Sequence, residues 1–155
     1  QAFFVENDKT ARRFLKKIWK EMVIDNYQWF VIHKAEEEVK KQFLQLIQGG
    51  KNIGIISEAG CPGVADPGQI LVYAAQQAGI TIKPLVGPSS VLLALMASGM
   101  NGQCFKFHGY LPIDSLDRKK KIKELDTDSQ KHNCTQLFIE TPYRNHHLIT
   151  DILQT

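Results

Sequence analysis

Short apolar runs and amphipathic helical patterns alternate along the whole chain, and this alternation limits the possible folds more than any other feature. The predicted strands are residues 2–5, 27–32, 52–56, 80–86, 105–110 and 135–140, and the predicted helices are residues 9–19, 35–48, 69–78, 88–97, 115–125 and 144–153. Alternating strands and helices are typical of a parallel sheet covered by helices. We therefore predict an α/β fold with a largely parallel sheet.

The length and composition allow one domain and part of another. The chain has 155 residues, of which 43% are hydrophobic and 23% are charged, as in soluble globular proteins. Glycine, proline and polar residues at positions 101–103 and 111–114 mark a change in composition. We predict an N-terminal domain over residues 1–102 and an incomplete C-terminal domain over residues 103–155.

Several classes of protein lack support in the sequence. No apolar stretch reaches the ~18–20 residues that cross a bilayer, and the start of the chain has no signal-peptide pattern. The three cysteines form no C-x-x-C pair and the histidines lack metal-ligand spacing, so we predict no metal site and no disulfide framework. The phosphate-loop and dinucleotide-binding glycine motifs are absent. These observations favour a cytoplasmic protein without a membrane segment.

The richest candidate site follows the predicted strand 52–56. The loop Ser57-Glu58-Ala59-Gly60-Cys61 joins an acid to glycine, which lets a ligand approach the backbone closely. Ligands in open α/β sheets bind at the carboxyl ends of strands. A carboxylate there suits an ammonium group or ribose hydroxyls. Further along the loop, Asp66 is placed to cap the next helix, as Asp8 or Thr10 is for the first.

Two further loops follow predicted strands. Ser89 and Ser90 begin a helix, whose free N–H groups and positive dipole suit an anion. Glu140, Thr141 and Arg144 follow the strand 135–140 and combine an acid, a hydroxyl and a guanidinium. Each loop alone also has a plain interpretation as a helix start. Because parallel strands place their carboxyl ends on one edge, successive loops of this kind favour a shared ligand site.

Basic runs give a weaker signal for nucleic acid. The segment 117–123 reads D-R-K-K-K-I-K, and paired basic residues also occur at 12–13 and 16–17. Such runs suit phosphate backbones, although many are solvated helix faces. The net charge of +3 is compatible with RNA.

Four blocks of sequence resemble one family in order and spacing. Residues 57–68 (S-E-A-G-C-P-G-V-A-D-P-G), 84–99 (P-L-V-G-P-S-S-V-L-L-A-L-M-A-S-G), 107–112 (F-H-G-Y-L-P) and 139–144 (I-E-T-P-Y-R) are similar to signatures of one group of enzymes. That group is the S-adenosylmethionine-dependent ribosomal small-subunit methyltransferase I group, within the tetrapyrrole methylase superfamily. Residues 5–12 (V-E-N-D-K-T-A-R) also resemble its A-E-D-T-R segment.

This resemblance implies a two-domain α/β fold, a homodimer and S-adenosylmethionine bound in the cleft between domains. It also implies methyl transfer to the 2′-hydroxyl of a cytidine ribose in 16S ribosomal RNA of the small ribosomal subunit. By position, the implied cofactor contacts are Ser57, Glu58, Ala59, Gly60 and Cys61 in the first loop, Ser89 and Ser90 in the second, and Glu140 and Thr141 in the third. Arg144 is the candidate catalytic residue.

The chain departs from the family pattern in its ends and in two residues. The family's first strand and its T-P-x-G-N loop would precede Gln1, and its last strands would follow Thr155, so we expect a chain trimmed at both ends. Glu58 stands where the family usually has Asp, and Cys61 replaces Thr.

The residues leave the base and the substrate open. Glu58, Asp66, Glu140 and Arg144 are all near the expected cleft, and alignment of the reactants is expected to dominate. The alternatives are a methylase of the same superfamily acting on a tetrapyrrole or a protein side chain, and a non-catalytic binding module that keeps the fold. A nucleotide-binding α/β domain is a third, opposed by the missing phosphate-loop motifs.

Overall fold

Strand β1 (Ala2–Val5) is the centre of a three-stranded parallel sheet in the computed structural model, which describes residues 1–33, 36–85 and 87–155. It pairs with β2 (Gln28–Val31) on one side and with β3 (Ile53–Ile56) on the other. All three strands run in the same direction, so their carboxyl ends meet at one edge. The prediction of an α/β fold with a parallel sheet is confirmed.

Three helices accompany this sheet: α1 (Asp8–Ile18), α2 (Glu36–Gln48) and α3 (Gln69–Gln77). The core joins the central strand to α2 and α3. Its buried residues are Ala2, Phe4, Ile32, Val39, Phe43, Leu71, Ala74 and Ala75. Position 35, with which the predicted second helix begins, lies outside the described residues.

The predicted caps of the first helix are wrong. The cap of α1 is Asn7, whose Oδ1 accepts a hydrogen bond from the Thr10 N–H at 3.2 Å. Asp8 and Thr10 instead lie in the first turn. Asn7 is the residue with extended backbone (φ −139°, ψ 117°), and a side chain can reach the free N–H groups of the first turn from that conformation.

The predicted strand 80–86 is also wrong over its described part. Residues 80–85 contain no strand, and position 86 lies outside the described residues. Ile80, Ile82 and Leu85 are 37%, 36% and 89% exposed. The alternating pattern is typical of a strand, but a strand requires a ladder partner, and this segment has none among the described residues.

The second part of the chain contains the parallel pair β4 (Phe105–Tyr110) and β5 (Thr135–Ile139). Its helices are α4 (Ser90–Ser98), α5 (Ser115–His132) and α6 (Asn145–Leu153). Leu111, Leu125 and Leu148 form its buried cluster. Single 3₁₀ turns lie at Ile24–Asn26 and Pro142–Arg144.

Helix α5 is longer than predicted because polar bonds stabilise its second half. The prediction ended at residue 125, where the apolar stripe stops. Gln130 donates to Asp126 at 2.9 Å, and a His132 ring nitrogen lies 2.9 Å from Asp128. Asn133, with φ 47°, ends the helix in the left-handed conformation that often terminates helices.

A buried ion pair links α5 to α6. Arg118 Nε donates to Asp151 Oδ2 at 2.7 Å, and the two side chains are 5% and 7% exposed. Arg118 Nη1 also lies 2.7 Å from the carbonyl of Ile113 and 3.1 Å from that of Pro112. One guanidinium thus connects both helices to the segment that follows β4.

The chain forms two compact units, Gln1–Pro88 and Ser89–Thr155. The predicted domain boundary between residues 102 and 103 stays a prediction. Within the described ranges, no helix has the length and apolar character needed to cross a membrane.

Candidate functional site

Glu6, directly after β1, holds the loop that follows β3. Its Oε2 accepts the Glu58 N–H at 2.8 Å, and Ser57 Oγ lies 3.4 Å from the same oxygen. Ser57 Oγ is closer to the carbonyl of Ala59, at 2.8 Å. His33 Nε2 lies 3.5 Å from the other Glu6 oxygen. The carboxyl ends of β1 and β3 are therefore joined by a carboxylate, and the backbone of Glu58 is fixed.

Asp66 organises the rest of this loop. Its Oδ1 accepts the N–H groups of Gly63 at 3.0 Å and of Gly68 at 2.8 Å. A Cβ at Gly68 would lie 2.7 Å from this oxygen and 2.9 Å from Ile55 Cγ2, so the loop requires glycine there. The cap of α3 is Gly68, without a side-chain bond. The prediction that Asp66 caps α3 is therefore wrong, because its carboxylate is engaged within the loop.

The remaining residues of the first candidate loop are accessible. Glu58, Ala59 and Gly60 are exposed, while Cys61 is half-buried. Cys61 Sγ lies 3.9 Å from the carbonyl of Gly87 and 4.0 Å from that of Pro88. The first candidate loop thus contacts the segment that leads into the second one, although no strand precedes that segment within residues 80–85.

A cavity of about 170 Å³ opens beside the loop after β3. Its lining residues come from α1 and its cap, from the end of β3 and from the loop after β3: Asn7, Thr10, Ala11, Phe14, Ile56, Ser57 and Glu58. Sites for small molecules usually enclose about 300–1,000 Å³. The cavity therefore matches part of a cofactor rather than a whole one.

Ser89 and Ser90 lie where the sequence placed them, at the start of α4. Ser89 is the cap residue, with extended backbone and no side-chain cap bond, and Ser90 is exposed. Ser89 thus precedes α4 and Ser90 begins it, next to the first N–H groups of the helix, which have no hydrogen-bond partner within the helix.

The third candidate loop forms one compact cluster. Glu140, whose side chain is 3% exposed, accepts on Oε1 from the Thr141 N–H at 2.7 Å and from Arg144 Nη2 at 2.5 Å. Arg144 Nε lies 3.3 Å from Thr141 Oγ1, and its guanidinium lies 5.9 Å from the ring centre of Tyr110. Arg144 thus orients Glu140, and its candidate catalytic role stays a prediction.

Glu140 is ionised despite its burial. Burial opposes the charged form, but the Thr141 N–H and the Arg144 guanidinium together keep the pKa of Glu140 below its usual value of 4.5. A carboxylate of this kind accepts hydrogen bonds well and removes protons poorly.

Two carboxylate oxygens of these loops are buried without a hydrogen-bond partner among the described residues. They are Asp66 Oδ2 and Glu140 Oε2. Buried acceptors normally have partners. The ammonium and ribose hydroxyls of S-adenosylmethionine are donors of the kind that these oxygens lack, so the residues fit part of this cofactor.

Sequence reasoning missed the role of Glu6 and the cavity wall formed by Asn7, Thr10 and Phe14. The signal was present in the similarity of residues 5–12 to a family segment. That similarity alone does not indicate that Glu6 binds the backbone of a loop 52 residues away.

Three carboxylates of the second unit predict a loss of stability in acid. A hydrogen bond from Lys106 lowers the pKa of Asp128, while bonds from Ser115 and Arg118 outweigh burial and lower that of Asp151. Glu140 shifts in the same direction. As the pH falls, the unfolded chain therefore takes up protons before the folded chain does, at the usual carboxyl pKa values of 3.8 and 4.5.

The resulting stabilisation is complete above those values and is lost as the pH falls through the lower folded pKa values. We expect the protection factors of the amides in residues 105–153, the ratios of intrinsic to observed exchange rates, to fall below this range. The Asp151→Asn variant should depend less on pH, whereas Asp117→Asn, at an exposed position, should behave like the parent. Protection factors that stay constant from neutral to strongly acidic pH would contradict this expectation.

Comparison with solved structures defines the fold class. The crystal structure of the methyltransferase CobJ aligns with 99% of this chain and 74% of its own, with a TM-score of 0.52 and 16% identity. The chain therefore has the fold of this methyltransferase. No protein-family model matches the chain.

Sequence comparison identifies closer relatives. Proteins named ribosomal RNA small subunit methyltransferase I are 38% identical over 125 residues in Vibrio cholerae, and 33% identical over 129 residues in Escherichia coli O157:H7. These matches cover 80% and 83% of this chain, but only 42% and 44% of the relatives. The resemblance predicted from the motifs is confirmed: over the part that it spans, the chain is related to ribosomal RNA small subunit methyltransferase I.

Proposed function

We propose that this chain is part of an S-adenosylmethionine-dependent methyltransferase that modifies a ribose 2′-hydroxyl of small-subunit ribosomal RNA. The proposal rests on two buried carboxylate oxygens, one on Asp66 and one on Glu140, that have no hydrogen-bond partner among the described residues. Both belong to loops that follow parallel strands, where ligands of α/β folds bind. The names of the relatives support the reaction and the RNA substrate.

The cofactor-binding residues in this proposal come from three loops. They are Ser57, Glu58, Ala59, Gly60 and Cys61, then Ser89 and Ser90, then Glu140 and Thr141. Glu58 offers an exposed carboxylate on a backbone that Glu6 fixes. Glu140 offers an ionised, buried carboxylate, one oxygen of which has no partner in the described part of the chain.

S-adenosylmethionine supplies a methyl group on a sulfonium, ready for in-line displacement. The protein must bring the ribose hydroxyl to the methyl carbon and accept its proton. Glu140 is a poor base because its pKa is lowered. We therefore assign Glu140 to cofactor binding and Arg144 to the orientation of Glu140. Of the acids considered as the base, Glu58 and Asp66 remain.

The partners follow from the same proposal. The substrate would be the small ribosomal subunit, and the lysines at positions 119–121 and 123 of α5 offer charge for its phosphates. The family resemblance supports a homodimer, and a ribosomal substrate supports a cytoplasmic location. No metal is part of the proposed reaction.

A methyl-transfer assay tests the proposal and the role of Arg144. Labelled S-adenosylmethionine should transfer its methyl group to small ribosomal subunits, and not to a tetrapyrrole or to protein. Arg144→Ala should lower the rate by about tenfold to a hundredfold, because a charge-assisted bond to Glu140 is lost. Arg144→Lys should recover part of the lost rate. Lys131→Ala, at an exposed position near the end of α5 and outside the basic run, serves as the control for a lost charge. Transfer of label to a tetrapyrrole or to protein instead would support the alternative that the chain is a methylase of the same superfamily with one of those substrates.

The cavity of about 170 Å³ favours one alternative, a binding module that keeps the fold without catalysis. A module would bind small ribosomal subunits without transferring label. Transfer of label to ribosomal RNA would exclude it.

A further inference from the structure

Cys104 and Cys134 occupy equivalent positions before two paired strands. Cys104 directly precedes β4 and Cys134 directly precedes β5, and Phe105 pairs with Thr135. The Thr135 N–H donates to the carbonyl of Cys104 at 2.9 Å. Paired strands lie about 4.8 Å apart, and disulfide-bonded cysteines have Cα atoms about 4.4–6.8 Å apart. The backbone therefore holds these cysteines at a separation that a disulfide can bridge.

Asn101 fixes this arrangement through hydrogen bonds of three of its polar groups: its side-chain N–H, its backbone carbonyl and its side-chain oxygen. Its Nδ2 donates to the carbonyl of Asn133 at 2.7 Å, and its carbonyl accepts from Thr135 Oγ1 at 2.8 Å. Its Oδ1 accepts the N–H of Cys104 at 3.2 Å. The turn that carries Cys104 is thus bound to the start of β5 by side chains as well as by the strand ladder.

The two thiols differ in access. Cys104 is exposed and Cys134 is 2% exposed, and both are free. A hydrogen bond with Cys104, together with burial, raises the pKa of the Cys134 thiol. Cys104 can therefore meet a reagent from solvent first, while Cys134 is sheltered behind it.

We propose that Cys104 and Cys134 form a reversible dithiol–disulfide pair that is oxidised by small-molecule disulfides such as oxidised glutathione. The Cys104 thiolate attacks one sulfur of the reagent, breaks its S–S bond and releases one thiolate. The Cys134 thiolate then attacks Cys104 Sγ, forms the protein disulfide and releases the second thiolate. The two protons of the cysteines pass to the two released thiolates, and two electrons pass to the reagent.

This pair is separate from the candidate cofactor site. It lies at the amino ends of β4 and β5, whereas Glu140 follows the carboxyl end of β5. The proposal therefore does not depend on methyltransferase activity.

Mass spectrometry tests the pair in glutathione buffers of increasing oxidised fraction. A Cys61→Ser background leaves only the two thiols of interest. After alkylation and digestion, we expect a peptide linked through Cys104 and Cys134, with a loss of two hydrogens, that reduced glutathione reverses.

The single variants separate the two steps. In Cys134→Ser the reaction should stop after one glutathione has bound to Cys104 through a mixed disulfide. Cys134→Ala should give the same result and serves as a second variant in case serine disturbs the buried position. Cys104→Ser should stay unmodified while folded, because Cys134 is buried. Glutathione that stays on Cys104 when Cys134 is present, or no reaction of either thiol, would overturn the proposal.

Discussion

Replacing Arg118 with methionine should shift the folding equilibrium of the second unit at least about a hundredfold towards the unfolded state. The substitution leaves the Asp151 carboxylate buried without its guanidinium partner. It also removes the donor that two backbone carbonyls share. Removing one member of a buried ion pair is among the most damaging single changes in a protein.

Two controls distinguish the buried charge from lost packing. Combining Arg118→Met with Asp151→Leu should restore part of the stability, because no unpaired charge then remains. Lys120→Ala, on the same helix but exposed, should change little.

Hydrogen exchange or circular dichroism must report the result. Both tryptophans, Trp19 and Trp29, lie in the first unit, so their fluorescence follows the wrong part of the chain. Equal stability of Arg118→Met and Lys120→Ala would contradict the role given to the pair.

Replacing Phe4 with alanine should lower the free energy of unfolding of the first unit by about 3–5 kcal/mol. Phe4 is fully buried in the central strand. Its ring stacks on Phe30 at 4.6 Å and meets the edge of Phe43 at 5.2 Å, so it joins β1, β2 and α2. The cavity left by the ring cannot collapse easily between a sheet and a helix.

Phe14→Ala is the matched control, since this phenylalanine is 53% exposed on α1 of the same unit. We expect it to cost less than about 1 kcal/mol. Urea denaturation followed by tryptophan fluorescence measures both variants. A similar loss in the two would mean that Phe4 is not at the centre of the core.

The fold was largely predictable because the strand and helix patterns are local. β1, β3 and the helices follow apolar periodicity, and the ends of most elements differ from prediction by one or two residues. The strand predicted over residues 80–85 was wrong because a strand needs a neighbouring strand to pair with, and the alternating pattern in the sequence does not indicate whether such a neighbour exists. The second half of α5 was not predicted because it has no apolar stripe. Hydrogen bonds of Asp128 and Gln130 stabilise the helix there instead.

The sequence was sufficient to predict which loops form the candidate site, but not which residues contact one another within them. Glycine, acid and hydroxyl residues after strands identify the loops at residues 57–61 and 140–144. The partners of Glu6, Asp66 and Arg144 depend on how the strand ends meet, which only the fold determines. Cys104 and Cys134 likewise become neighbours only through the pairing of β4 with β5.

Calorimetric titration of the protein with S-adenosylmethionine tests the central claim, that strand-end carboxylates bind this cofactor. We expect saturable heat, and an affinity about tenfold to a hundredfold weaker for Glu140→Gln, because a charge-assisted hydrogen bond is lost. Glu124→Gln, with an exposed carboxylate on α5, should bind like the parent. No saturable heat with the parent protein, or equal affinity in Glu140→Gln, would contradict the claim.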